Sequence, residues 1–563
     1  MLRPGERGGI RKARGSAMPV ALVYPNVYRV GMGNLGFQFL YHYLNADPRF
    51  SAERFFSPHP VPSREDGSRG PLSEESGRTL REFPLIAFSV PFENDYPAVP
   101  ATLLSAGIFP LAKDRKVSDP LIIAGGVSVS INPEPLAPFL DLAFIGEIQD
   151  REQDNLFPLL AEVLSRSSRD RSDRQEMLDR FKDVPGAYVP SAYAFDFGED
   201  GLIRDIRVRN GFPDRVAAVK RLSKQGEVPV SVLFSSEAEF GESLLVETNR
   251  GCGRGCRFCA AGWVHFPVRH AAFQRFRQDV DQAIEDGRTV GLIGSDLAGH
   301  PELEDLLTHI LDRGGKFSLS SIRPEGLTPR VIELLARTGQ KTATLAPEVA
   351  SPRLKKVIGK EIPSERFYEL VQKLVSAGIP NLRFYFMIGL PTETDDDIRA
   401  LVDFVLTSRR IFVEASRPLK KIGKIGIQVN PFVPKPWTPF QWAPMTQSQT
   451  LRKRVKIIQA ALGKEPNLKV RIESIRQATI QGVMSRGDRR VGIALSQIAA
   501  GTRSLHGAMT SEHIDRDFYL HRQRSSDEIF PWDVTDHGVT KQALWRIFVT
   551  AISQASPTVK KRG

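Results

Sequence analysis

Cys252, Cys256 and Cys259 are the only cysteines in 563 residues, and they fall within eight consecutive positions. A chain that dispenses with every other thiol and keeps three in CxxxCxxC spacing uses them together, as ligands. A closed structural zinc site takes four ligands, and no second Cys or His pair at finger spacing follows. Disulfides fit poorly, because the count is odd and the separations are very short. Three thiolates suit a 4Fe-4S cluster whose fourth iron stays open to a small molecule. Whatever fold carries this octet must present it as one loop around one group.

The full octet is Cys252-Gly253-Arg254-Gly255-Cys256-Arg257-Phe258-Cys259, with an aromatic just before the last cysteine. It resembles the signature of the radical S-adenosylmethionine (SAM) superfamily. The resemblance implies that Cys252, Cys256 and Cys259 bind the cluster and that the open iron chelates the amino and carboxylate groups of SAM. It also implies that one electron, from a flavodoxin- or ferredoxin-type donor, cleaves SAM to a 5'-deoxyadenosyl radical.

The segment from about 244 to 440 supplies a fitting frame. Leu244–Thr248 reads as a strand with the cysteine loop at its carboxyl end, and five more follow: Thr289–Gly294, Lys316–Ser321, Thr342–Ala346, Arg383–Ile388 and Ile425–Asn430. Helical patterns separate them, which predicts a partial (β/α)6 TIM-like barrel, open on one side, with active groups at the strand carboxyl ends. The superfamily resemblance assigns those groups to SAM. Gly294, Ser295 and Asp296 take the place of its GGE-like motif, for the methionine amine. Ser320, Ser321 and Arg323 follow the next strand, and Arg323 is the choice for the methionine carboxylate. Glu348 faces the ribose or the amine. Gly389 and Glu393, in Gly389-Leu390-Pro391-Thr392-Glu393, resemble the turn beside the adenine, with Asn430 and Phe258 against the base. Asp395, Asp396 and Asp397 read as a helix start. The segment from Pro431 to Trp442, with Trp437 and Trp442, reads as packing across the mouth.

From 18 to 185, short apolar runs (Val20–Tyr24, Leu85–Val90, Leu121–Gly126, Leu142–Glu147) alternate with helical patterns. This predicts a doubly wound parallel sheet covered on both faces. Gly31, Gly33 and Gly36 spell GxGxxG, but several residues beyond the first strand and without the acidic residue a dinucleotide site needs. The strand pattern, the turn after Ile123, Asn132-Pro133-Glu134-Pro135 and the strand ending Ile145-Gly146-Glu147 resemble instead the cobalamin-binding domain found upstream of many radical SAM enzymes. That family's DxHxxG cobalt-ligand motif is missing: Asn26-Val27-Tyr28-Arg29-Val30-Gly31 holds no His, and His42 and His59 lie elsewhere. Cobalamin is thus a possible cofactor, bound without a His from that motif or not at all.

The predicted organisation is a disordered basic tail (1–17, with Met18 as an alternative start), a cobalamin-binding-like domain (18–185), a connecting β segment (186–243), the radical SAM core (244–440) and a basic, mainly helical carboxyl-terminal domain (441–563). No apolar run approaches the roughly 18 residues of a membrane span, and the amino terminus lacks the apolar region of a signal peptide. Thiolate ligands want a reducing compartment, here the cytoplasm. Charge is uneven within a net +12: eleven Lys and Arg between 451 and 490 face only Glu465, Glu473 and Asp488. That excess suggests RNA or a ribosome-associated molecule as substrate, or else a solvated helix face. Ser485–Arg490 and Phe530–Asp533 resemble the tail of a little-characterised cobalamin-domain radical SAM subgroup. Methylthiolation of the known kind needs a second cysteine-bound cluster, for which no ligands remain. Hydrogen abstraction is left, with or without methyl transfer through cobalt. A rival reading is an RNA-binding iron-sulfur protein with a structural or redox-sensing cluster.

Overall fold

The computed structural model describes every residue except 1–2, 14, 16, 58–69, 149–153, 166–172, 222–226, 321, 503–504, 513 and 555–563. Ser321 and His59 thus lie outside the described residues. The chain forms two compact units: Met1–Ser243 with Val483–Tyr519 and Asp527–Gly538, and Leu244–Gly482 with Leu520–Ser526 and Val539–Gly563.

The first unit is built on a six-stranded sheet of β1 (Met18–Tyr24), β2 (Phe50–Phe56), β3 (Leu85–Ser89), β4 (Leu121–Gly125), β5 (Leu142–Phe144) and β6 (Ala187–Tyr188). Its order is β2-β1-β3-β4-β5-β6, parallel except for β6. Val20, Ala21, Leu22 and Val23 are all fully buried, as expected where helices cover both faces. The expected doubly wound architecture is present, and the strand order reverses at the β1/β3 boundary, where open sheets of this kind receive ligands. Gly31 serves packing in this sheet's first connection: a Cβ there would stand 2.4 Å from the Phe56 ring.

Three boundaries differ from the sequence expectation. Residues 3–13 are not a loose tail, because Glu6, with a fully buried side chain, ion-pairs Arg54 at 2.5 Å and Arg7 bridges Phe234 in antiparallel fashion. The segment after 185 belongs to this unit: β6 extends the sheet, β7 (Tyr193–Phe197) and β8 (Ile203–Val208) form a hairpin, and β9 (Val216–Ala217) pairs with Thr535–Asp536. The carboxyl-terminal segment is shared between the units. Arg489 reaches Glu134, a carboxylate of 0% exposure, at 2.8 Å, and Asn132 donates to the carbonyls of Ser485 and Gly487.

The second unit contains all six strands read from the sequence: β10 (Leu244–Arg250), then, after β11 (Arg269–His270), β12 (Thr289–Gly294), β13 (Lys316–Leu319), β14 (Thr342–Glu348), β15 (Asn381–Ile388) and β16 (Ile425–Pro431). A further strand, β17 (Leu468–Ile472), comes from the segment expected to be helical. Its alternation of half-buried Leu468, Val470 and Ile472 with exposed Lys469 and Arg471 is the period of two that marks a strand. The strands form two sheets, β11-β10-β12-β13 and β14-β15-β16-β17, parallel apart from β11. No ladder joins β13 to β14 among the described residues. Trp437 and Trp442 are buried, the latter edge-on to Trp545 at 5.1 Å, as the packing reading expects. No helix among the described residues is long and apolar enough to cross a membrane.

Candidate functional site

The cysteine loop leaves the carboxyl end of β10, turning at Gly251, whose φ of 81° and 2.4 Å approach to the His265 carbonyl admit no side chain. Asn249, buried on the last turn of that strand, ties the loop to its neighbour. Its Nδ2 donates to the Gly251 carbonyl at 3.2 Å and its Oδ1 accepts from the Asp296 N–H at 3.4 Å. The other side of the loop rests on the helix Pro352–Ile358. The Arg257 N–H donates to the Ile358 carbonyl at 3.0 Å, and its Nη1 donates to the carbonyls of Lys356 and Val357. These are carbonyls that a helix end leaves without partners, so the loop doubles as that helix's cap. The Trp263 indole donates to the Cys256 carbonyl at 3.2 Å. Phe258 is half-buried within the loop.

The three thiols are thereby held on one short, pinned segment, Cys256 buried and the other two half-buried. Burial pushes the Cys252 and Cys259 thiols above the ordinary value, and each is raised further by the charge of neighbouring cysteines. At Cys252 the charge of Arg323 works the other way; Arg323 Nη1 stands 3.4 Å from Cys256 Sγ and its Nη2 3.4 Å from Glu325. Although burial works against the charged form, the contacts with Cys256 and Glu325 raise the Arg323 pKa above its ordinary value. Asp296 accepts from Arg254 Nε at 3.1 Å through Oδ2.

Three buried atoms around the loop make no hydrogen bond: Asp296 Oδ1, Arg323 Nε and Glu325 Oε2. Buried polar atoms left without partners cost free energy, and a bound ligand with complementary groups offsets that cost. An acceptor and a donor beside the thiols match the ammonium and carboxylate of an amino-acid moiety, and three thiols on one loop match a cluster. No group of three His, Cys, Asp or Glu side chains among the described residues is arranged to hold a single metal ion.

The remaining sequence candidates sit at strand ends in two different conditions. Gly294 closes β12, with Asn249 Oδ1 where a Cβ would stand, and exposed Ser295 follows it. Ser320 follows β13, exposed, its N–H on the Leu292 carbonyl. Glu348 ends β14 at a bulge with φ 66°, and Lys360 Nζ holds its Oε1 at 3.0 Å. Asn430 ends β16 and accepts from Gln428 at 2.9 Å. Gly389 and Glu393 are already engaged with each other: the Gly389 N–H donates to the Glu393 carboxylate, which Arg454 Nη1 meets at 2.6 Å. Asp397 caps the helix Asp395–Ser416 in a box with Thr394, so the acidic run begins a helix as expected. Asn249, Arg254, Glu325 and Lys360 were not singled out from sequence. Asn249 lies only three residues before Cys252, but nothing in sequence marks Lys360 as the partner of Glu348.

Residues 246–405 match the family model described as the radical SAM superfamily, and residues 36–190 match the one described as radical SAM proteins, N-terminal. An uncharacterized protein of Methanocaldococcus jannaschii is 27% identical over 507 residues, 89% of this chain and 96% of that one. The ribosomal protein uS12 methylthiotransferase RimO of Thermodesulfovibrio yellowstonii is 24% identical over 201 residues, 33% of this chain and 47% of its own. Among solved structures, the radical SAM methyltransferase TsrM of Kitasatospora setae, with cobalamin and a 4Fe-4S cluster bound, gives a TM-score of 0.52 at 13% identity, covering 88% of this chain and 99% of that one. At that identity the likeness is one of fold.

Proposed function

The chain belongs to the radical SAM superfamily, and we propose that it is an enzyme whose Cys252, Cys256 and Cys259 hold a 4Fe-4S cluster for the reductive cleavage of SAM. The cluster and SAM supply, when bound, a radical able to take a hydrogen atom from a substrate. The observation that carries the reading is the pinned three-thiol loop ringed by the unpartnered Asp296 Oδ1, Arg323 Nε and Glu325 Oε2.

This chain's own residues bind and orient. Arg323 stands against Cys256 and offers Nε to the SAM carboxylate, while Asp296 offers Oδ1 to the amine beside Gly294 and Ser295. Lys360 fixes one oxygen of Glu348 so that the other meets the ribose. Phe258, Ser320 and Asn430 border the adenine and ribose. Gly389 and Glu393 shape the turn next to them, their polar groups being satisfied within the protein. Anaerobically reconstituted protein with SAM and a reductant should form 5'-deoxyadenosine, measured by mass spectrometry. Cys256→Ala should abolish it, and product formation by that variant at the wild-type rate would refute the reading. No cleavage by the wild-type protein would favour a structural or redox-sensing cluster.

The finer reading is methyl transfer or another hydrogen-abstracting rearrangement on an RNA-related substrate, in the cytoplasm, with a flavodoxin- or ferredoxin-type donor. Cobalamin binding is supported by the strand order of the first unit, with its β1/β3 reversal, and by the fold likeness to TsrM. Protein purified without oxygen from cells supplied with cobalamin should retain about one equivalent after gel filtration. Its absence would remove methyl transfer through cobalt. The methylthiotransferase chemistry of RimO does not carry over, since three cysteines in all leave none for a second cluster.

A further inference from the structure

Part of the basic excess read from residues 451–490 is buried or paired within the protein. Arg454 is buried against Glu393, Arg486 is 1% exposed, Arg489 pairs with Glu134 and Arg490 pairs with Asp488 at 2.7 Å. The fold of the second unit instead assembles a different cationic face, at the amino ends of β14, β16 and β17. Lys341 precedes β14; Arg417, Lys420, Lys421 and Lys424 precede β16; Lys464 precedes β17. All six are exposed, and none is ion-paired among the described residues. The acids nearby are Glu414 and Glu465, and Arg409 meets Glu465 at 3.5 Å.

These loops are laced into one platform. Asn381 Nδ2 donates to the Lys341 carbonyl at 2.9 Å while its Oδ1 accepts the Lys424 N–H at 3.1 Å. Asn467 Nδ2 donates to the Gly423 carbonyl at 3.0 Å, and its own carbonyl accepts the Ile425 N–H at 2.8 Å. Adjacent strands stand about 4.8 Å apart, so the loops that carry these cations enter the sheet side by side at one edge. Like charges gathered without counter-charges repel one another and destabilise the free protein, a cost that a bound polyanion offsets.

We propose that this face, the amino-terminal edge of the β14–β17 sheet, docks the phosphate backbone of a structured RNA. Phosphate contacts position a nucleic acid without reading it, which suits a surface lying a strand's length, about 20 Å, from the carboxyl ends where Glu348 and Asn430 sit. No exposed aromatic accompanies the row, so stacking of single-stranded bases is not its chemistry. Only Leu419 and Ile422 stand out of it, at 43% and 48% exposure, too little apolar surface for the amphipathic helix that a membrane surface would take. The proposal deepens the RNA reading of the substrate, and it does so without depending on the radical chemistry.

The test is binding of a fluorescein-labelled RNA duplex of about 20 base pairs, by anisotropy over a salt series, without SAM. The wild-type chain should bind, and Lys420→Glu/Lys421→Glu/Lys424→Glu should weaken binding at least about tenfold and flatten the log–log salt slope by about 2 to 3. The triple Lys→Gln variant should lose less affinity and flatten the slope too. Both variants should keep the wild-type melting temperature and 5'-deoxyadenosine yield. An unchanged slope in both variants would overturn the proposal, as would wild-type binding to phosphatidylserine vesicles and not to the duplex, or to neither. Loss of SAM cleavage with RNA binding intact would strike the enzyme reading alone.

Discussion

Glu393 shows how a residue's neighbours decide its role. By position in its turn it reads as a group for the adenine, but folding buries it between the Gly389 N–H and Arg454. Burial pushes its carboxyl up to about 7, against an ordinary 4.5, although Arg454 pulls the other way. A folded pKa above the unfolded one means that the native state binds more protons between those values, so stability falls as pH rises from about 4.5 to 7 and is level above. Urea unfolding of the wild-type protein at pH 5 and pH 8 should show this decline. Glu393→Gln, which keeps this position neutral at every pH, should be nearly flat over that window. At Glu348 the backbone tells a related story, since φ 66° is a conformation that side chains other than glycine adopt at a cost of about 1–3 kcal/mol. Its side chain is fixed by Lys360 at 3.0 Å, and Lys360→Met should lower 5'-deoxyadenosine formation with a larger rise in the SAM KM than fall in kcat, if the pair orients SAM.

At the scale of elements, the first unit depends on a strap contributed by the chain's beginning. Arg54 lies on β2 with no exposed surface, bracketed by Glu6 at 2.5 Å and Glu75 at 2.6 Å. Removing one partner of a buried pair leaves charge uncompensated, at about 3–5 kcal/mol where no second partner remains. With Glu75 still in place, Glu6→Ala should cost roughly 2–3 kcal/mol, read as a lower urea midpoint for the first unit. A cost below roughly 0.5 kcal/mol would show that the strap contributes nothing to stability. The helix Pro352–Ile358 ties an element to the site in a different way. Ser351 caps its start and Arg257 closes its end, so the cysteine loop and the strand-end residue Glu348 are fixed by the two sides of one short helix.

For the whole molecule, chain order and spatial order diverge. The first unit is completed by Val483–Tyr519 and Asp527–Gly538, which bring Arg489 to Glu134 and His537 to the Ser130 carbonyl at 2.9 Å. A fragment of residues 1–243 therefore retains a fully buried carboxylate whose cationic partner has been cut away. It should aggregate or give poorly dispersed NMR spectra, whereas the full chain is expected to melt cooperatively. A well-dispersed spectrum from the fragment would mean that the late segments are dispensable to that unit.

Local patterns were enough for β1, β3, β4, β5 and the six core strands β10 and β12–β16, because an apolar run such as Val20–Val23 or an alternating one such as Ile425–Pro431 records burial in its own period, whereas β2 and β17 went unread. Spacing was enough for the thiols, because three ligands within eight residues need no tertiary fold to be neighbours. Only the folded chain decided the rest. Lys360 meets Glu348 across twelve residues and Arg454 meets Glu393 across sixty-one, and such pairings leave no mark in either residue's surroundings. The same holds for charge: of eleven cations close in sequence, Lys453, Arg454, Arg489 and Arg490 are taken up in ion pairs, while loops up to about 120 residues apart, from Lys341 to Lys464, were brought to one edge. Periodicity and spacing are properties of neighbours along the chain, whereas charge pairing and surface potential depend on distance through space, which only the tertiary fold sets.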